Sequence, residues 1–200
     1  MTSVLVLAAG YLFGSIDFAV LIGKLKGVDI YSVGSGNPGT SNVLRTMGKG
    51  AAVAVLAGDL LKGLAAGWVG YLLAPAGSGL FSSGLVAGAG FMAVVGHCYP
   101  LFHHFKGGKG IATGLGVVIW ADPLVALLLL LIWGILVKLT KVAAIGSLVV
   151  VVASIPMLLL RNVEWPTLVW VGAALVLIVW RHKGNIARML NGGDAKVVEV

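Results

Sequence analysis

The chain has 200 residues, of which 59% are hydrophobic and only 10% are charged, and its mean hydropathy is +1.04. Soluble domains carry about 25% charged residues, so this chain cannot cover a globular surface with polar groups, and its natural solvent is lipid. The single cysteine, Cys98, excludes an internal disulfide and a thiolate metal cluster, and the net charge of +7 has to be sorted by side of the membrane before it indicates a partner.

Apolar segments follow one another along the whole chain and predict an all-α integral membrane protein with a single domain over residues 1–200. The seven predicted spans are residues 1–23, 50–73, 80–96, 111–121, 123–139, 142–160 and 166–180. No positive residue precedes the first segment, so we expect a span there rather than a cleaved signal peptide. Asp17 lies in this first span, where an acid is unusual.

The segment 111–139 fits either one long helix or two spans, because Asp122 and Pro123 interrupt an otherwise apolar run. With seven spans, twelve of the 14 basic residues fall on one side of the membrane, and the positive-inside rule makes this the cytoplasmic side. The N-terminus then lies outside and the C-terminus in the cytoplasm. The fourth span, 111–121, is short, because at 1.5 Å per residue it covers about half of a ~30 Å hydrocarbon core.

The first polar loop, residues 34–42, interleaves glycines with polar side chains, and Arg45 follows it. Its Gly-x-Gly-x-x-Gly spacing is shared with dinucleotide-binding loops, but those need a strand, a turn and a helix in a βαβ unit. Arginine grips phosphate oxygens with two parallel hydrogen bonds, and glycine lets a backbone approach a ligand closely. The loop therefore indicates phosphate binding, and the alternative is a plain polar connector.

The second polar loop, residues 97–110, holds three histidines, two lysines and three glycines between two apolar segments. A helix is predicted to start after Gly110, so its free N–H groups would point back into the loop. The run from Lys106 to Gly110 is not a Walker A motif, because no Ser or Thr follows the second lysine. The loop predicts a phosphate cradle, and the alternative is a basic turn attracted to anionic lipid.

The third polar group follows the last span, where His182, Asn185 and Arg188 share one face of a predicted helix. Alone, this pattern is most often a basic helix end at the membrane interface. The seven-span topology, however, brings all three groups to the cytoplasmic side, and polar residues close to spans are costly unless they serve a site. Together the groups indicate one shared pocket for anions. The spacing His-x-x-x-x-Asp does not occur, and no Ser-His-Asp set is evident.

These three groups resemble motifs of a known family. The patterns are Gly-Ser-Gly-Asn-x-Gly with Asn-x-x-Arg, Gly-His-x-x-Pro-x-Phe-x-x-Phe-Lys-Gly-Gly-Lys-Gly-x-Ala-Thr, and Arg-His-x-x-Asn-Ile-x-Arg. They are similar to those of the bacterial acyl-phosphate:glycerol-3-phosphate acyltransferases. The resemblance implies transfer of a fatty acyl group from acyl-phosphate to the 1-hydroxyl of glycerol 3-phosphate. The products are lysophosphatidic acid and phosphate, in the first acylation step of phospholipid synthesis.

The resemblance also implies site residues, partners and location. The expected catalytic residues around the phosphates are Ser35, Arg45, Lys109, His182 and Asn185. The expected substrate-binding residues are Gly34, Gly36, Asn37, Gly39, Asn42, His97, Lys106, Gly107, Gly108, Gly110, Thr113 and Arg188. We expect acyl-phosphate and glycerol 3-phosphate as substrates, the lipid bilayer as surroundings, no nucleic acid, no metal and no organic cofactor. A monomer in the bacterial cytoplasmic (inner) membrane, with its active site facing the cytoplasm, is expected.

The expected mechanism relies on positioning and charge, because phosphate is already a good leaving group. Arg45 and Lys109 would neutralise the leaving phosphate, while Lys106 and the backbone at 107–108 would hold the phosphate of the acceptor. The base stays open between His182 and the acceptor's own phosphate, whose second pKa is near 6. A transporter or flippase for a phosphorylated small molecule and a lipid-binding scaffold are the alternative functions.

The chain departs from the family pattern in four places. Thr40 and Ser41 stand where Ala-Thr is frequent, and Asp194 stands where Glu is usual. The segment 142–147 is poor in serine compared with the family. Asp17 falls where Pro is frequent, and the sequence offers no account of it.

Overall fold

The computed structural model describes residues 2–73 and 84–192, and in these ranges all regular secondary structure is helical. The expected turn at 74–79, the start of the third span and the tail with Asp194 lie outside the described residues. The described α-helices are α1 (Thr2–Gly14), α2 (Phe18–Leu25), α3 (Thr40–Met47), α4 (Lys49–Leu72), α5 (Gly84–Cys98), α6 (Ile111–Ala121), α7 (Pro123–Thr140), α8 (Ala143–Leu160), α9 (Trp165–Arg181) and α10 (Lys183–Leu190). A short 3-10 turn, Leu101–His103, lies between α5 and α6.

Helix lengths match most of the predicted spans. By length and composition, five segments of the described chain are able to cross a membrane, with α1 and α2 counted as one. The pair α9 and α10, bent by 52°, makes a sixth. The helix α6 is apolar but has only 11 residues, as the interruption at Asp122 and Pro123 predicts. The all-α prediction is therefore confirmed for the described residues.

The first predicted span is broken, which differs from the continuous segment 1–23 expected from hydropathy. The helix α1 ends at Gly14 and α2 begins at Phe18. Asp17 is the N-cap of α2, because its Oδ1 accepts a hydrogen bond from the N–H of Val20 at 3.0 Å. A carboxylate at a helix start satisfies a backbone donor that has no intrahelical partner. The break gives Asp17 the structural role that the sequence did not reveal.

The short helix α6 is sheltered by α4 through closely packed glycines. A Cβ added to Gly116 would lie 2.7 Å from the carbonyl oxygen of Leu60 and 3.1 Å from the Cα of Gly63. Small residues let helix backbones approach closely in lipid, where packing rather than the hydrophobic effect drives association. The same contact places Thr113 against α4, since its carbonyl faces Gly63. This packing sets how deeply the start of α6 lies in the bundle.

The turn between α6 and α7 is tied to the turn between α8 and α9. Asp122 caps α7, accepting hydrogen bonds from the N–H groups of Leu124 at 2.9 Å and Val125 at 3.1 Å. Its other oxygen accepts from Arg161 Nε at 2.7 Å. These two turns therefore lie at one end of the bundle. The loop 97–110 and the start of α10 lie at the other end, called here the loop end.

Candidate active site

One cavity at the loop end brings the polar groups predicted from the sequence together with an apolar space. Its polar half is lined by Ser35, Asn37, Gly39, Asn42, Arg45, Asp59, His97, Lys109, Gly110, His182, Asn185 and Arg188. Its apolar half is lined by Leu115, Val118, Leu129, Leu130, Trp133, Val150, Val151, Val171, Ala174, Leu175 and Ile178. On α9, Val171 lies eleven residues before His182, which corresponds to a depth of roughly 16 Å. The cavity thus joins a charged mouth to a hydrocarbon-like interior.

The first polar loop presents Ser35 beside Arg45. Arg45 Nη2 donates to Ser35 Oγ at 3.4 Å. Below them the buried side chain of Asn42 accepts from the Ser35 N–H at 2.9 Å and donates to the Val33 carbonyl at 3.0 Å. Gly34 and Gly36 flank Ser35 in the same turn, but neither is among the residues that line the cavity. Asn42 therefore shapes this loop and also lines the cavity together with Ser35 and Arg45.

The second polar loop is held by its own peptide groups. The Gly108 N–H donates to the His97 carbonyl at 3.0 Å. Arg181 Nε donates to the Gly108 carbonyl at 3.0 Å, and its Nη2 donates to the Gly107 carbonyl at 2.6 Å. A Cβ on Gly107 would lie 2.5 Å from Pro100 Cδ, so the turn has no room for a side chain. These contacts fix the turn at 107–108, and they already use the Gly108 N–H, one of the peptide groups that were expected to hold the acceptor phosphate.

A third anchor separates the two lysines of this loop. The Tyr31 hydroxyl donates to the Lys106 carbonyl at 2.7 Å. Burial, followed by the nearby carboxylates of Asp17 and Asp29, raises the pKa of Tyr31 to about 12, so the phenol keeps the proton that it donates. The Lys106 side chain is exposed, whereas Lys109 lines the cavity. Four more of the predicted substrate-binding residues are therefore not among those that line the cavity: Lys106, Gly107, Gly108 and the buried Thr113.

Lys109 connects the second loop to the third polar group. Its Nζ donates to Asn185 Oδ1 on α10. Gly110 follows as the N-cap of α6, and Ile111 and Ala112 also line the cavity. The first N–H groups of a helix have no intrahelical acceptor and favour anions. Lys109 and the start of α6 therefore bring a positive charge and N–H donors to the same wall of the cavity.

His182 is held in one orientation at the end of α9. Its Nδ1 lies 2.8 Å from the Ile178 carbonyl oxygen, and only 2% of the residue is exposed. A carbonyl oxygen only accepts, so Nδ1 carries the proton, and the lone pair of the neutral ring is on Nε2. His182 also lines the cavity. In this tautomer the acceptor atom of the ring is Nε2.

Two contributors to the site were not among the predicted residues. Arg181 stands directly before His182 in the third motif, but it looks there like an ordinary charge at a helix end. Asp59 lies in the second span and reaches the cavity wall. An ionisable residue inside a span is by itself a signal of a functional site. No group of three or more His, Cys, Asp or Glu residues in the described part of the chain is arranged to hold a metal ion.

Comparison with known proteins gives the family. A family model described as glycerol-3-phosphate acyltransferase matches residues 4–192. The glycerol-3-phosphate acyltransferase of Rubrobacter xylanophilus is 39% identical over 197 residues, covering 98% of this chain and 96% of that protein. The protein of the same description from Neisseria meningitidis is 40% identical over 204 residues, covering 100% of this chain and 99% of that protein.

Solved structures agree with this match over nearly the whole fold. The crystal structure of PlsY, an integral membrane glycerol 3-phosphate acyltransferase, in its glycerol 3-phosphate form has a TM-score of 0.90 and 35% identity. It covers 98% of this chain and 96% of that chain. The form with lysophosphatidic acid gives a TM-score of 0.88, also at 35% identity, and covers 98% of this chain and 95% of that chain.

The chain belongs to the glycerol-3-phosphate acyltransferase family. It is an enzyme, an acyltransferase, and an integral membrane protein. The family resemblance predicted from the three polar motifs is confirmed. The alternatives of a transporter and of a lipid-binding scaffold are not supported.

Proposed function

We propose that this enzyme transfers a fatty acyl group from acyl-phosphate to the 1-hydroxyl of glycerol 3-phosphate, releasing lysophosphatidic acid and phosphate. The observation that carries the proposal is the single cavity in which Arg45, Lys109 and Arg188 lie next to an apolar space. An acyl-phosphate has the same two-part character, with an anionic head joined directly to a hydrocarbon chain. The names of the relatives and the two PlsY forms support the acceptor and the product.

The proposed chemistry is direct transfer. The acceptor oxygen forms a bond to the acyl carbon, the bond from that carbon to the phosphate oxygen breaks, and the electron pair leaves with phosphate. Ser35, Arg45 and Lys109 hold the leaving phosphate and offset its developing charge. Arg188 and Asn185, on the same face of α10, hold the phosphate of the acceptor. Bringing both substrates into one cavity supplies the orientation that a reaction between two anions in water lacks.

The hydroxyl proton has two acceptors within this scheme, His182 Nε2 and the acceptor's own phosphate. A second proton on His182 would add a positive charge to a wall that already carries Arg45 and Lys109. The phosphate dianion, in contrast, becomes less charged when it takes the proton, and its second pKa is near 6. The substrate phosphate is therefore assigned the proton, and His182 orients the hydroxyl.

The topology proposed with this function has seven spans, with the N-terminus outside and the site facing the cytoplasm. The ion pair between Asp122 and Arg161 supports the seven-span count, because two turns joined by such a contact must lie on the same side of the membrane. A single cysteine at Asn162 should react with an impermeant maleimide added to intact cells, while one at Lys141 should react only after lysis. The reverse pattern would refute the orientation, and native Cys98 is buried.

The direct test of the function uses purified protein in a lipid mesophase with acyl-phosphate and glycerol 3-phosphate. Release of inorganic phosphate that depends on the acceptor, together with formation of lysophosphatidic acid, is the expected result. Activity with acyl-CoA or acyl carrier protein but not with acyl-phosphate would overturn the assignment of the donor. Well-folded protein without acceptor-dependent release from any of these donors would overturn the proposed function.

Replacing His182 by Ala tests the assignment of the proton. We expect the KM for glycerol 3-phosphate to rise about tenfold, the loss of one hydrogen bond of ~1.4 kcal/mol, while kcat stays within roughly threefold. Steady-state kinetics at saturating acyl-phosphate gives both constants. A general base contributes roughly 10²- to 10⁴-fold to the rate, so a fall in kcat of that size would make His182 the base.

Replacing Ala174 by Phe tests whether the apolar half of the cavity holds the acyl chain. Ala174 is buried on α9 and lines that half. The added ring takes the space of the acyl chain, and forcing a long chain in beside it costs roughly 1–3 kcal/mol of binding free energy. We therefore expect kcat/KM for long-chain acyl-phosphates to fall about tenfold or more. Short-chain donors should be affected much less.

The matched control is Val176→Phe on the same helix, at a position that is 67% exposed and outside the cavity lining. It should leave the preference for chain length unchanged. An equal loss for short and long donors in Ala174→Phe would show that the ring disturbs the fold rather than the chain-binding space.

A further inference from the structure

A buried cluster of ionisable groups lies between the first two spans and the cavity. Lys62 Nζ lies 2.9 Å from Asp59 Oδ1 on α4, and His97 Nδ1 on α5 lies 3.4 Å from the same oxygen. Asp59 and Lys62 are each 3% exposed and His97 is 7% exposed. Lys62 also donates to the Ile16 carbonyl at 2.8 Å, in the break between α1 and α2.

The ion pair between Asp59 and Lys62 is not explained by a gain in the free energy of folding alone. Removing two charges from water is costly, and apolar residues of similar volume often serve a protein interior at least as well. Asp59 also lines a cavity that, by its cations, is suited to anions, so its carboxylate would oppose binding unless Lys62 offset the charge. Ionisable residues kept at such a depth mark functional sites. The two charges therefore indicate a function that uncharged residues at positions 59 and 62 would not perform.

His97 connects the ion pair to the second loop by two contacts. Its Nδ1 lies 3.4 Å from Asp59 Oδ1, and its ring also packs against Gly108, where an added Cβ would overlap His97 Nε2 and lie 2.8 Å from His97 Cε1. Its carbonyl accepts the Gly108 N–H at 3.0 Å. Lys109, the next residue, lines the cavity and contacts Asn185. A change in the ring of His97 would therefore move the peptide group that precedes Lys109.

We propose that Asp59 and Lys62 are positioning residues, which fix the ring of His97 and thereby the turn that presents Lys109 to the phosphate. Lys62 holds Asp59 in place through its anchor at the broken first span. The inference rests on the proposed function only in that Lys109 contacts a substrate phosphate. It adds to that function a route by which the packing of α1, α2 and α4 sets the geometry of the site.

The test uses a neutral pair, Asp59→Asn with Lys62→Met, which removes both charges and leaves no buried charge unpaired. It is combined with His97→Gln in a mutant cycle. A displacement of order 1 Å in a site costs about 100-fold, so the neutral pair and His97→Gln should each lower kcat/KM roughly 10- to 100-fold. The triple variant should be no more than about twofold worse than His97→Gln, because residues that act through one another are not additive.

The control is a second neutralised ion pair, Asp122→Asn with Arg161→Met, at the opposite end of the bundle. It should change the melting temperature while leaving kcat/KM within about twofold of the wild type. Full additivity in the cycle, or wild-type kinetics in the folded neutral pair, would overturn the proposal. An equal fall in kcat/KM in the neutral pair and in the control would also overturn the proposal, since it would reflect a loss of stability alone.

Hydrogen exchange gives a readout that does not depend on turnover. In the neutral pair, amide exchange in peptides covering 106–110 should speed up, because the turn no longer packs against a fixed His97 ring and opens more often, while peptides of α8 and α9 stay unchanged. Unchanged exchange at 106–110 would overturn the positioning role. If the wild type shows no acceptor-dependent turnover, the proposed function fails on that result, and the exchange measurement still decides the role of the ion pair.

Discussion

The guanidinium of Arg181 holds the carbonyls of Gly107 and Gly108 at 2.6 Å and 3.0 Å, and the remaining parts of the site are arranged around this clamp. On the other face of the turn, a Cβ on Gly107 would lie 2.8 Å from the carbonyl carbon of Cys98. The turn is therefore pressed between the end of α9 and the end of α5, with no space for a side chain. Lys109 leaves this turn in one direction, into the cavity. The clamp thus converts a glycine-rich segment, which would be the most adaptable part of a free chain, into a rigid support.

The length of α6 follows from the same need for fixed geometry. An 11-residue helix does not cross a hydrocarbon core of ~30 Å, so its ends must be supported by protein. Glycine packing on α4 supports its side, and the Asp122 cap joins its end to α7. Its start therefore sits inside the bundle, where Gly110 and Ile111 line the cavity. A helix start at this depth offers N–H groups to the anionic head of the proposed donor, whose chain would lie in the apolar half of the cavity. A full-length span would carry those groups out to the aqueous surface.

The sequence predicts which side chains enter the site better than it predicts which peptide groups face it. Ser35, Arg45 and Lys109 all line the cavity. They were predictable because polar residues beside glycines near spans do not contribute to apolar packing and therefore indicate a site. Lys106 looks the same as Lys109 in the sequence, since both flank one glycine pair. The structure separates them through a hydrogen bond from Tyr31, a residue 75 positions away, and no local pattern encodes such a contact. Hydropathy is likewise blind to the break before Phe18, because both halves of the first span are apolar.

Charges buried in this bundle are tolerated for different reasons at its two ends. At one end, 52% of the Arg161 side chain is exposed, so its ion pair with Asp122 is only partly desolvated. The carboxylate of Asp122 also serves as the cap of α7. Asp17 resembles Asp122, since its carboxylate accepts a hydrogen bond from a backbone N–H at the start of α2 that has no acceptor within the helix. Asp59 differs, because it caps no helix and faces a cavity suited to anions. Helix capping therefore accounts for two of these three acids, and the third is accounted for only by what it holds in place, the ring of His97 against the turn that carries Lys109.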